Sequence, residues 1–141
     1  MNPNEKHLEF IQNIITRMNT NSFQLKGWAV IVVSALLAIY ASSKNEYFIL
    51  AATFPAVVFW FLDSYYLSQE RKFRSLYNDV AGVSENPKKI QAFAMRPDLY
   101  VGGKYKYWSS FRSRTVSGLY LPVVIVLIGL FVYFHQFTTG E

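Results

Sequence analysis

Between Lys88 and Arg114 the chain interleaves cations with flat aromatic faces: Lys88, Lys89, Arg96, Lys104, Lys106, Arg112 and Arg114 alternate with Phe93, Tyr100, Tyr105, Tyr107, Trp108 and Phe111. That mixture could hold an anionic nucleotide by charge and stacking. It could equally grip anionic lipid head groups, at about 1 kcal/mol for each basic residue near the surface, or meet a protein partner. The residues expected to carry such a contact are Lys88, Lys89, Arg96, Tyr100, Lys104, Lys106, Tyr107 and Trp108. One acid stands apart, Asp63, beside Trp60 and Tyr66. It reads either as a solvated interfacial carboxylate paired with a nearby Arg or Lys, or as a group whose burial raises its pKa.

Little else in the chain offers chemistry. The chain has no cysteine, which removes disulfides, thiolate metal sites and a cysteine nucleophile together. Its two histidines, His7 and His135, lie far apart, and no apolar run holds a pair of carboxylates. A glycine-rich phosphate loop and the H-E-x-x-H and G-x-S-x-G patterns are missing as well. No catalytic residue, metal or cofactor is expected, and the chain reads as a non-enzyme. A membrane-embedded enzyme would have to converge Asp63, Arg96 and Asp98.

The elements that must position these residues follow from where charge is absent. Lys26 and Lys44 bracket 17 uncharged residues, Glu46 and Asp63 bracket 16, and a third run follows Arg114 to about Phe134. A hydrocarbon core about 30 Å thick takes about 20 apolar helical residues, so the chain reads as an all-α integral membrane protein with three transmembrane helices. Mean hydropathy is only +0.14 because the charge is gathered between the runs. No A-x-A-like cleavage site closes the first run, and the polar residues before it include Glu5 and Glu9, so the run is expected to be retained. The expected layout is a single membrane domain over 1–141. It comprises an N-terminal amphipathic helix (2–22), spans at 27–43, 47–66 and 115–135, a cytosolic helical stalk (67–81) and an irregular basic loop (82–113).

Asn2, Pro3 and Glu5 form a helix start, with an N-cap acceptor, proline at the first position and an acid to meet the first N–H groups. Leu8, Ile11, Ile15 and Met18 then repeat at helical spacing, giving an apolar stripe for the membrane surface or for a neighbour. The polar stretch from Asn19 to Ser22 is expected to interrupt it, and Lys26 with Trp28 marks the interface. In the first span Ser34, Ala38 and Ser42 recur every four residues, a small-residue line that admits another backbone. Pro55 should kink the second span or mark a packing irregularity. Trp60, Tyr65 and Tyr66 should form an aromatic belt. Beyond them Glu70 and Arg74 stand at i,i+4, Phe73, Leu76 and Tyr77 offer an apolar side, and Gly82 is the expected stop. Gly102 and Gly103 suggest a two-residue hairpin turn.

Ten of the 14 basic residues fall between Asp63 and Arg114, against five acids. The positive-inside rule puts that segment in the cytoplasm. Three crossings then leave the N-terminus inside and the C-terminus outside, in a bacterial inner membrane.

The stretches ITRMNTNSFQLKGWAV, FWFLDSYYLSQERKFRSLYNDV and MRPDLYVGGKYKYWSSF resemble those of small bacterial multi-pass membrane proteins encoded beside TIR-like or nucleotide-signalling genes in phage-defence loci. Over about residues 5–80 the layout is similar to the SLATT class: an N-terminal helix, a transmembrane hairpin and a cytosolic helix, to which a third span is added here. The resemblance implies an effector that assembles in the inner membrane and permeabilises or depolarises it when a separate partner, a TIR-like or nucleotide-signalling protein, senses infection. Three helices cannot enclose a wide path alone, so a homo-oligomer in the lipid bilayer is expected. Ser34, Ser42 and Thr53 are the only modest polar candidates for a pore wall, which points to gating by dewetting. The rival expectation is a non-conducting anchor that recruits a soluble enzyme through the loop. Nucleic acid is the least suited partner.

The orientation has a direct check in a cysteine-free chain. A cysteine at Ser84 is expected to stay unlabelled by an impermeant thiol reagent in intact cells and to react once the membrane is opened. Labelling in intact cells would invert the topology.

Overall fold

The computed structural model describes residues 2–139, and among them every regular element is helical. Four α-helices follow in order: α1 (Pro3–Ser43), α2 (Tyr47–Ala81), α3 (Tyr107–Phe111) and α4 (Arg114–Thr139), with 3-10 turns at Pro97–Leu99 and Gly103–Tyr105. Three of them, α1, α2 and α4, are long and apolar enough to cross a membrane.

The helix ends are set by local chemistry. The Asn2 side chain accepts from the Asn4 N–H at 3.3 Å while the Glu5 carboxylate accepts from the Asn2 N–H at 3.2 Å, a reciprocal capping box. At the other end of α1, Lys44 takes a left-handed conformation (φ 57°) and its N–H bonds the Tyr40 carbonyl at 2.8 Å. Asn45 then caps α2 by accepting from the Tyr47 N–H at 3.0 Å. Gly82 (φ 73°) ends α2 as expected: its N–H bonds Asp79 O and the Val83 N–H bonds Asn78 O, the paired bonds of a Schellman stop.

Two expectations about regularity need correction. The polar stretch from Asn19 to Ser22 does not interrupt α1, which is unbroken over 41 residues. Asn, Thr and Ser lower helix propensity by only about 0.7 kcal/mol each, and no Gly or Pro is present there to break the ladder. The hairpin at Gly102 and Gly103 does not form either. Both glycines have positive φ, but they lead into the 3-10 turn Gly103–Tyr105 and then α3. α2 is continuous through Pro55.

By its packing the chain divides into two compact units. The spans contribute residues 24–63 and 111–141 to one unit, where Val33 of α1, Ile49, Ala52 and Ala56 of α2 and Leu127 of α4 form the core. Only 11%, 28% and 17% of the residues in the three apolar windows are buried, so most of the apolar surface faces outward. In the other unit, residues 1–23 and 64–110, Ile11 and Ile15 of α1 pack with Leu76 of α2 and Tyr100, flanked by Phe73 and Tyr77. α1 and α2, at 41 and 35 residues, outrun the roughly 20 a bilayer core needs and contribute to both units.

Candidate functional site

In the unit that holds the basic loop, the site is built on a polar row of α2. Ser64, Ser68, Arg71, Ser75 and Asp79 are spaced four, three, four and four residues apart, so they share one helix face. Ser64 and Ser68 are buried. The Ser68 hydroxyl donates to Tyr105 O at 3.0 Å, and Arg71 donates to Lys104 O at 3.0 Å and to the Ser109 and Ser110 hydroxyls at 3.3 and 3.4 Å. The Ser75 and Tyr105 hydroxyls meet at 2.6 Å, and the Tyr100 hydroxyl donates to Asp79 at 2.5 Å. This row was not singled out in the sequence reading, which followed the apolar side of the same helix. The signal that would have found it is the spacing of its serines and Arg71.

Above the row lies a cavity of about 490 Å³ whose lining includes Asp79, Lys88, Tyr100, Lys104 and Tyr105, with Ser75, Ser84 and Glu85. Lys88 Nζ stands 4.3 Å from the Tyr100 ring centre and donates to Leu99 O at 2.5 Å, and Lys104 Nζ stands 5.2 Å from the Tyr105 ring. Of the eight expected contact residues, Lys88, Tyr100 and Lys104 meet here. Lys89 and Arg96 border a separate cleft of about 230 Å³ with Ile90 and Leu99, and Arg96 is taken up by Asp98 at 2.8 Å. Lys106 and Trp108 are exposed; the Trp108 ring meets Tyr107 edge-on at 5.5 Å. The structure thus divides these residues between a cavity, a separate cleft and the exposed surface. Two lysines are balanced by Asp79 and Glu85 in the cavity, a lining suited to a ligand with both charges or with hydroxyls more than to a polyanion.

The ionisation of the site follows from its packing. Burial pushes the Asp79 carboxyl up, but the Ser84 and Tyr100 hydroxyls, the Lys88 N–H and the Lys88 charge outweigh it and hold the group below the usual carboxylate range. Tyr100 moves the other way, raised by burial and then by its bond to the Asp79 carboxylate. Burial also raises Tyr107, against a bond with Ser64.

In the unit of the spans, Asp63 is fully buried rather than solvated, and its carboxylate meets Lys26 Nζ at 2.5 Å. Pairing with an Arg or Lys was one expectation and burial the other, and the structure combines them. Lys26 is drawn to this carboxylate and keeps 27% of its side chain exposed, and the buried Tyr120 hydroxyl lies in the field of the same carboxylate. Trp60, half-buried, stacks on Phe111 with ring centres 4.3 Å apart and donates its indole N–H to Phe111 O at 3.2 Å. Tyr66 is half-buried, edge-on to the exposed Tyr65. On α1, Ser34, Ala38 and Ser42 are exposed. The Ser42 and Thr53 hydroxyls bond the Ile39 and Ile49 carbonyls of their own helices at 3.1 and 3.5 Å. Among the described residues no three His, Asp or Glu side chains are grouped to hold a metal ion. No protein-family model matches the chain, and no curated protein or solved structure does either.

Two outcomes follow. Lys26→Ala should leave a buried carboxylate without its cation and cost about 3 kcal/mol, at the low end for such pairs because Lys26 is partly exposed. Lys26→Met combined with Asp63→Leu should recover most of that in thermal unfolding in detergent, whereas equal losses in the single and double variants would make the pair unimportant. For the loop unit, a depressed Asp79 contributes stability present above about pH 4 and lost as pH falls through its folded value. A raised Tyr100 contributes stability that is complete below about pH 10 and lost as pH rises. Near-ultraviolet circular dichroism should thus stay flat between those limits. Tyr100→Phe should move the acid limb to higher pH, and an unmoved limb would remove the Tyr100–Asp79 bond from the account.

Proposed function

We propose that this chain is an oligomeric inner-membrane effector that permeabilises or depolarises the membrane in antiphage defence, signalled by a cytosolic partner at the loop unit. The observation that carries the assembly is the exposed line of Ser34, Ala38 and Ser42 on α1, where small side chains let another backbone approach in lipid. The low burial of the spans supports it, because apolar surface of this extent is met by lipid or by further copies. The defence role and the TIR-like or nucleotide-signalling partner rest on the resemblance to SLATT-like effectors, and the orientation on the basic segment between Asp63 and Arg114. The cavity around Lys88, Tyr100 and Lys104 is the natural receiver of the signal.

A second reading, a non-conducting anchor that recruits a soluble enzyme, is favoured by one detail. The Ser42 and Thr53 hydroxyls are donated to their own helices, which leaves Ser34 as the remaining polar candidate for a pore wall and makes conduction depend on wetting. Ion flux separates the two. Cells expressing the chain with its genomic neighbours should lose membrane potential on phage challenge, as read by a potential-sensitive dye. Ala38→Leu should abolish the loss and lower the oligomeric mass in native mass spectrometry. Growth arrest without depolarisation would replace the pore with the anchor.

A further inference from the structure

An apolar groove runs between α1 and α4 in the unit of the spans. One part, about 170 Å³, lies among Ala29, Val30, Val33 and Ser34 of α1 and Leu119, Tyr120 and Val123 of α4, with Ala56 of α2. The next part, about 280 Å³, has Val33 and Leu37 on one side and Pro122, Val123, Val126 and Leu127 on the other. Val33 and Val123 line both, so the parts are adjacent along the two helices. On α1 the groove extends from Ala29 to Leu37, roughly 12 Å at 1.5 Å per residue. It stays open because Ala29, Ser34 and Ala56 are too small to fill it.

The two ends differ in charge. Lys26 precedes Ala29 by about one helical turn, Arg112 stands just before α4 and Arg114 is its first residue. Asp63 neutralises Lys26. Arg112 and Arg114 are exposed and form no ion pair among the described residues, so that end carries two uncompensated cations. Past the distal end stand Lys44, Glu46 and His135; Glu46 meets His135 at 3.3 Å, and the formal charges of Lys44 and Glu46 cancel, so that end carries no net formal charge.

From this polarity we infer that the groove seats one acyl chain of an anionic phospholipid, with its phosphate held by Arg112 and Arg114. An apolar slot whose α4 wall is preceded by two exposed arginines matches a molecule that is apolar along its length and anionic at one end. A neutral lipid would leave the arginines unused. A helix of another copy, about 10–12 Å across, would enter only as a ridge of side chains and would also leave them uncovered. The inference rests on the spans lying in a bilayer and not on permeabilisation.

The test uses the full chain in detergent, with native mass spectrometry during titration by phosphatidylglycerol or phosphatidylcholine of identical acyl chains. One phosphatidylglycerol per chain should be retained in preference to phosphatidylcholine. Arg112→Gln with Arg114→Gln should weaken phosphatidylglycerol roughly thirtyfold and leave phosphatidylcholine unchanged. Ser34→Phe, which fills the groove, should weaken both lipids, and Ala29→Leu provides a second filling variant should the first fail to fold by circular dichroism. Equal affinity for the two lipids would overturn the head-group assignment, and undiminished binding in the filled variants would overturn the groove. A fall in oligomeric mass on filling, with lipid binding intact, would give the groove to a second copy. A chain absent from the membrane fraction would sink the membrane reading itself, an outcome distinct from a membrane-embedded chain without lipid preference.

Discussion

Residues 82–113 hold only two 3-10 turns and the short α3, so most of their backbone groups lack the ladder that a long helix or sheet supplies and must be satisfied from outside. The polar row on α2 meets that demand. Ser68 and Arg71 take the carbonyls of Tyr105 and Lys104, and Asp79 and Ser75 fix the Tyr100 and Tyr105 hydroxyls. Every feature of the loop unit follows from this arrangement. The segment is held in one conformation, the two tyrosines and two lysines stand around a preformed cavity, and Ile11 and Ile15 find Leu76 and Tyr100 to pack against.

The unit of the spans obeys the opposite solvent. Where lipid replaces water, polar groups must be satisfied within the protein. Lys26 with Asp63, and the Trp60 indole with Phe111 O, are paired internally, and the Ser42 and Thr53 hydroxyls return to their own helices. Most of what faces outward along the three long helices is apolar. This division explains why a small core of Val33, Ile49, Ala52, Ala56 and Leu127 suffices. In a bilayer the hydrophobic effect does not drive helices together, so close packing at alanines and internal hydrogen bonds carry the association.

Local sequence determined the parts whose cause is local. The Asn2–Glu5 capping box, the Glu70–Arg74 pair and the Gly82 stop depend on residues within four or five positions, and three uncharged runs of span length leave no alternative to long helices. Tertiary structure decided the rest, because the partners are distant in the chain. Asp63 finds Lys26 across 37 residues and Trp60 finds Phe111 across 51, so neither spacing advertises the contact. Gly102 and Gly103 permit a hairpin or a 3-10 turn equally well; the carbonyls beyond them went to Ser68 and Arg71 rather than to a facing strand. The basic and aromatic composition of the loop was plain from the sequence. Its split into a charge-balanced cavity, a separate Arg96 cleft and exposed Lys106 and Trp108 was not, because a segment without a period gives no rule for which side chains share a face.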